Sequence, residues 1–289
     1  MEKTIEITTK IGCSLFCEFC PQKKLINEYK KKSDEFTMTF DTFKTCIDKI
    51  PKNIVIDFSG MCEPWLNKEC TKMMKYAVDS GHQINIYTTL VGVNIDDYTA
   101  IKETNYKTLV LHIPDEEENS HFNLSESYLS ILKTALNDII AGELRVNNFS
   151  CHGKVHPLIK DLVEMSGVKV MSEMYDRAGN VDSNKVQGVE KEKKGRLICT
   201  YCGGDTLNRN VLLPNGIVLM CCMDYGMEFV LGNLLDGSYD EICRGINKSK
   251  YRKKMKSIQN GDILCRHCHV SENYYKYMLK KCVRFFGIK

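Results

Sequence analysis

No run of eighteen apolar residues occurs in this chain, so no membrane-spanning helix is expected. The opening residues, Met1-Glu-Lys-Thr-Ile-Glu-Ile, lack the apolar core of a signal peptide, and a cytoplasmic location is the expectation. Internal repeats and low-complexity segments are also missing. The net charge is only +3, and no nucleic-acid partner is expected. That charge is unevenly spread. Residues 248–289 hold twelve Lys or Arg against Asp262 and Glu272, a local +10 that leaves −7 on the rest. An asymmetry of this kind marks a candidate interaction surface.

Hydrophobic residues make up 43% of the 289, enough to bury a sizeable core in a large domain with a smaller one beside it. Fifteen cysteines is a high count for a cytosolic chain. Disulfides are rare in that compartment, so metal binding or catalysis is the better reading. The cysteines also cluster, at residues 13–20, at 199–222 and at Cys265 and Cys268.

Over residues 1–180, short β-rich runs alternate with helical stretches. The strand candidates are 4–9, 53–59, 84–89, 107–113, 143–149 and 168–175, rich in Val, Ile, Thr and Tyr. The helix candidates are 40–50, 68–80, 95–103, 125–141 and 157–166. Ser125 can cap the fourth of these, with Tyr128, Leu129, Leu132 and Leu136 along one face. Six such units predict an α/β fold, a parallel sheet curved into a partial (β/α)6 TIM-like barrel. Chemistry is then expected at the C-terminal ends of its strands. Residues 181–195 are polar and poorly patterned and read as a linker. Residues 196–289 read as a small C-terminal α+β domain, with a hairpin around Pro214-Asn-Gly216 and a basic, aromatic final helix.

Cys13, Cys17 and Cys20 form a CxxxCxxC motif directly after the first strand. Three thiolates can ligate three irons of a [4Fe–4S] cluster and leave the fourth open to a cofactor. A structural zinc site wants a fourth ligand nearby, and no His or Cys follows Cys20 until Cys46. A second set, Cys202, Cys221, Cys265 and Cys268, has enough ligands for a closed site, with zinc as its alternative. Cys199 competes with Cys202, and Cys222 with Cys221. Neighbouring strand residues point to opposite faces, so Cys221 and Cys222 do not easily both face one cluster.

These motifs resemble the radical S-adenosylmethionine (SAM) superfamily. Ser59-Gly60-Met-Cys-Glu63-Pro64 follows the second strand and is similar to that family's Gly-Gly-Glu-Pro motif, with Met61 and Cys62 inserted. The resemblance implies that Glu63 accepts hydrogen bonds from the SAM ammonium, that Thr88 and Thr89 meet its ribose or carboxylate, and that Phe19 sits against its adenine. Leu212-Leu-Pro-Asn-Gly-Ile-Val-Leu-Met-Cys-Cys, Leu231-Gly-Asn-Leu and the final Cys-Arg-His-Cys resemble the SPASM or twitch domain of such enzymes. That implies an auxiliary [4Fe–4S] cluster, held by Cys202 and Cys221 with the terminal pair.

Three residues face the expected barrel mouth and are candidates for substrate chemistry. Arg177 can grip a carboxylate or phosphate through its planar fork. His112 ends the fourth strand, and Cys151, just past the fifth, can return a hydrogen atom to a substrate radical. Each has a structural alternative: a salt bridge, a buried histidine, a small apolar filler. The resemblance implies radical-based oxidation of a small hydroxylated substrate, with a sugar epimerase or a peptide-modifying enzyme as alternatives. An electron donor such as flavodoxin or ferredoxin is implied too. With Cys13 so early in the chain, no preceding peptide-binding domain is expected. The basic C-terminal helix can meet an acidic donor or a membrane surface.

Overall fold

The computed structural model describes residues 2–188, 191–202, 207–258 and 262–286, the side chains through 283. In chain order the first half runs β1 (Thr4–Ile7), α1 (Gln22–Lys30), α2 (Phe40–Ile47), β2 (Val55–Phe58), α3 (Cys70–Asp79), β3 (Ile84–Thr88) and α4 (Ile95–Glu103). It continues with β4 (Thr108–His112), α5 (Glu126–Ile140), β5 (Asn148–Ser150), α6 (Lys160–Ser166) and β6 (Val170–Met171). All six expected strands and all five expected helices form, mostly with shorter bounds. The Ser125 hydroxyl accepts from Tyr128 N at 3.3 Å and caps α5 as its sequence suggests. Helix α1 was not foreseen; it buries Leu25 and Tyr29.

The second half holds β7 (Leu197–Cys199), β8 (Arg209–Leu212), β9 (Ile217–Leu219), β10 (Val230–Asn233), α7 (Tyr239–Cys243), α8 (Ile246–Lys256), β11 (Ser271–Asn273) and α9 (Tyr274–Phe286). Among the described residues, nine strands make one sheet in the order β10-β9-β8-β1-β2-β3-β4-β5-β6. From β8 to β6 the pairing is parallel, and β9 and β10 add antiparallel. The hairpin expected in a separate domain therefore continues the barrel sheet, with Glu6 opposite Val211.

Residues 181–195 do not hang as a free linker. Tyr175 bridges to Gln187, and Asp176 N donates to Gln187 O at 3.0 Å. Lys193 Nζ donates to Cys268 O at 2.6 Å, and Arg266 Nη1 donates to Lys193 O at 2.7 Å. Residues 189 and 190 of that segment lie outside the described residues.

The two faces of the sheet differ in chemistry. Ile5, Ile7, Ile56, Phe58, Ile84, Ile86, Leu109, Leu111 and Phe149 belong to the main apolar core, which the helices complete. Alternation then sends Glu6, Asp57, Asn85 and Tyr87 to the other face. A parallel sheet buried on both faces usually reads apolar on both. Here one buried face is polar, which makes the inside of the curve the place to look for chemistry.

Candidate active site

The loop after β1 carries the first cysteine set. Cys13 is buried; Cys17 and Cys20 are partly so. Burial pushes the Cys17 thiol up to about 12, with Cys20 and Cys13 close enough to add to the effect. Gln22 Nε2 donates to Cys20 Sγ at 3.4 Å and also to Met61 O, which ties the loop to the end of β2. The Cys62 thiol contacts Cys13 and is the main reason the latter is lowered to about 6. The donor set is three soft thiols in one loop with no harder ligand among them. It fits a three-cysteine iron–sulfur cluster.

Ser59 and Gly60 make the turn that follows β2. Gly60 has a φ of +79°, and a Cβ there would lie 2.5 Å from Thr8 Oγ1 and 2.9 Å from Thr8 N. Only glycine allows this return over the end of β1. It delivers Glu63, which is 4% exposed. Glu63 Oε1 accepts from Thr88 Oγ1 (2.8 Å) and Trp65 N (3.2 Å). Its Oε2 accepts from Thr89 N (2.6 Å) and Thr89 Oγ1 (2.7 Å). Burial raises Glu63 to about 7, and these four hydrogen bonds oppose the rise. A carboxylate has about four acceptor sites. In this arrangement the chain's own donors occupy them, so an ammonium reaches Glu63 only if a threonine hydroxyl turns away.

The second set gathers six thiols. Cys199 hydrogen-bonds Cys202 and lies within electrostatic range of Cys265 and Cys268. Cys221 contacts Cys222 and Cys202. Burial pushes Cys265 up to about 12 and Cys268 up to about 11. Among the described residues, no three His, Cys, Asp or Glu side chains close around a single ion. The donors are again soft thiols and suit an iron–sulfur cluster. Cys222 is lowered to about 7, chiefly by its hydrogen bond with Cys221 and further by the charge of Arg177 and a hydrogen bond with Glu6.

Between the two sets lies a crowded polar centre. Cys20 Sγ and the Tyr225 hydroxyl are 3.6 Å apart, so the loop after β9 touches the first set directly. Arg177 is in electrostatic contact with Tyr225, Cys20, Cys222 and Glu6. Its guanidinium lies 6.0 Å from the Phe19 ring, and its Nε has no hydrogen-bond partner. The backbone that presents it is unusual: Arg177, Ala178 and Gly179 have φ of +51°, +60° and +78°. Left-handed non-glycine residues cost on the order of 1 kcal/mol each, so the surroundings must enforce them. They do. Asn180 Nδ2 donates to Met223 O at 2.9 Å, Tyr175 stacks on His269 at 3.7 Å, and Ala178 packs with Met223 and Cys268.

His112 and His152 complete this centre, their rings 6.0 Å apart. Burial lowers His112 to about 3 and His152 to about 4, so both imidazoles are neutral at physiological pH. Glu6 and Asp57 supply buried carboxyls. Desolvation holds Glu6 well above the ordinary range and Asp57 at about 7, with Asn85 Nδ2 donating to Asp57 at 2.7 Å.

The structure thus brings together Cys13, Cys17, Cys20, Phe19, His112 and Arg177, and beside Cys13, which the Glu63 backbone meets, Glu63, Thr88, Thr89 and Gly60. Ser59 is half-buried at its turn. Phe19 is buried against His152, ring centroids 3.9 Å apart, so its ring already has a partner. Cys151 does not join the centre. It is fully buried in the apolar core, with its thiol toward Pro114 O at 3.7 Å. Its neighbours Ser150 and His152 take the inward positions, because alternation along β5 sends residue 151 outward. The sequence reading missed Glu6, Asp57, His152 and Tyr225, and weighed Cys222 only as a cluster ligand. The signal was charge at alternate positions of otherwise apolar strands.

The iron–sulfur cluster-binding domain family SPASM matches residues 199–269. No curated relative matches the chain in sequence. The fold is similar to that of BtrN solved with AdoMet and 2-DOIA, at 16% identity and a TM-score of 0.62, over 95% of this chain and 94% of that one. It is also similar to anSMEcpe with bound AdoMet, at 14% identity and a TM-score of 0.51, over 98% and 96%. A third similar structure is SuiB from Streptococcus suis bound to precursor peptide SuiA, at 12% identity and a TM-score of 0.50, over 97% and 73%. The chain has the partial-barrel fold of the radical SAM enzymes and carries a SPASM-type domain. The matched family binds an iron–sulfur cluster, BtrN and anSMEcpe were solved with AdoMet, and the two thiol sets of this chain fit iron–sulfur ligation.

Proposed function

We propose that this chain is a radical SAM oxidoreductase that dehydrogenates a small hydroxylated substrate, a sugar or cyclitol, to a carbonyl. The observation that carries this reading is the position of Arg177, whose buried guanidinium lies 6.0 Å from the Phe19 ring in the first cysteine loop and within electrostatic range of both Cys20 and Cys222. A substrate held there is adjacent to both. When bound, the cofactors supply a 5′-deoxyadenosyl radical and a one-electron acceptor, with flavodoxin or ferredoxin as the external electron source.

Oxidising a secondary alcohol removes a hydrogen atom from carbon, a proton from oxygen and one electron. The chain's part is to hold the alcohol and take the proton. Arg177 donates hydrogen bonds to hydroxyl oxygens in a fixed fork. The neutral His112 and His152 accept hydrogen bonds and orient further hydroxyls. A buried carboxyl of the inner face takes the proton: burial raises Asp57 to about 7, near the operating pH, whereas Glu6, raised well above its ordinary value, is held in its acid form. The near-complete overlap with BtrN, solved with 2-DOIA, supports a small ligand.

Epimerisation is the second reading. The thiol of Cys222, turned toward Glu6 and Arg177, favours it as a hydrogen-atom donor, a role Cys151 is too deeply packed to fill. Anaerobic turnover in deuterated water with a panel of cyclitols, aminocyclitols and sugars separates the two. The dehydrogenase gives a carbonyl product with no solvent deuterium at carbon, and Cys151→Ala and Cys222→Ala both retain it. Deuterium fixed at carbon without a carbonyl, lost in Cys222→Ala, refutes dehydrogenation.

A further inference from the structure

We infer that α9 is an in-plane anchor that lays this protein on an anionic lipid surface, a role independent of the reaction at the barrel mouth. The helix leaves the body directly after β11. Tyr274 N donates to Arg196 O at 2.9 Å, and the Arg196 guanidinium stacks 3.9 Å from the Tyr274 ring. Tyr274 and Tyr277 are half-buried and mark the side that faces the body.

The apolar stripe lies on the opposite side. Tyr275, Met278, Leu279, Cys282 and Val283 follow the spacing of one helical face. Tyr275 is 65% exposed and Leu279 67%, with Met278 at 38% and Val283 at 39%. An amphipathic helix normally turns this stripe to its own core. Here it is turned to solvent.

The charges choose the occupant. Lys276, Lys280, Lys281 and Arg284 accompany the stripe, and α9 contains no Asp or Glu. Lys280 pairs with Glu272, the one acidic neighbour just before the helix. Residues 248–289 as a whole carry twelve basic residues against two acidic ones. A second copy meeting it helix to helix would bring the same positive charge to the contact and be repelled. An acidic protein would satisfy the lysines but leave the stripe facing a polar surface. An anionic bilayer satisfies both, because the stripe enters the acyl boundary while the lysines stay at the headgroups.

The test is co-sedimentation of the anaerobically reconstituted full chain with vesicles of equal phosphatidylglycerol and phosphatidylcholine, and with phosphatidylcholine alone. Binding to the anionic vesicles should exceed binding to the neutral ones about tenfold in low salt, and half-molar salt should abolish the difference. Met278→Glu with Leu279→Glu should remove binding while iron content and SAM cleavage remain those of the parent. Three results overturn the inference: no preference for anionic vesicles, binding unchanged in the double variant, or a lipid-free dimer that the double variant dissolves.

Discussion

Replacing Glu63 with Gln tests how this carboxyl is used, and the expected result depends on pH. Gln keeps the size and one acceptor oxygen but puts a donor where the other oxygen was. That amide faces either Thr89 N or Trp65 N, both backbone donors now aimed at Glu63 oxygens. A threonine hydroxyl can rotate and accept; a backbone N–H cannot. One buried N–H is left without an acceptor, a loss of about 1–3 kcal/mol at any pH. The opposing effect comes from charge. Burial raises Glu63 from 4.5 to about 7. A carboxyl raised on folding binds its proton more tightly in the folded state, so it costs nothing below the unfolded value. Its cost grows as pH climbs toward 7 and is complete above it, at about 3 kcal/mol. Gln has no such cost. Relative to the parent, the variant should therefore gain about 2 kcal/mol between pH 5.5 and pH 8. Set against the constant loss, it should be near parity with the parent at the lower pH and more stable by up to about 2 kcal/mol at the higher. Urea unfolding of both proteins across that range reads the difference directly. A difference that does not move with pH refutes the buried-charge argument. SAM affinity, measured alongside by equilibrium dialysis, should fall in the variant at pH 8, where Glu63 is ionised, and differ little near pH 6. Equal affinity at pH 8 removes Glu63 from the SAM site.

The thiol sets give a second prediction. Reconstituted protein should hold about eight irons, and replacing Cys13, Cys17 and Cys20 with Ala should leave about half. Within the second set, Cys221→Ser should lose about half the iron while Cys222→Ser keeps it, as the assignment of Cys221 to the auxiliary cluster requires. Full iron content in Cys221→Ser reverses that assignment. Gly60→Ala should destabilise the protein by about 2–3 kcal/mol, from the left-handed backbone and the collision with Thr8 together. A thermal melt matching the parent would mean the turn moves freely.

The barrel strands were legible because Val, Ile and Thr concentrate in them and their apolar residues alternate onto one core. Helix α5 was legible from its cap. What escaped was set by partners distant in sequence. Glu6 and Asp57 read along the chain as solvent-facing residues of half-buried strands. They become a buried pair only because the sheet curves and the loops after β6 and β9 close over its inner face, and no local signal encodes that closure. The hairpin at Gly216 was visible, but its pairing with β1 was not, since a strand's neighbours are chosen by topology. Helix α1 hid for a different reason. Its apolar residues are few, Pro21 at its start offers no side-chain cap, and it takes its burial from Val211, Leu213, Leu219 and Tyr225, which lie far along the chain. Arg177 shows the two kinds of information meeting. Its type and its place after the sixth strand marked it from sequence, while its three-residue left-handed backbone is held by contacts with Met223, Cys268 and His269. The same contacts that impose that geometry also join the SPASM-type domain to the barrel. Whatever fixes the reach of Arg177 toward Cys20 therefore also fixes the separation of the two thiol sets, and neither can be tuned without the other.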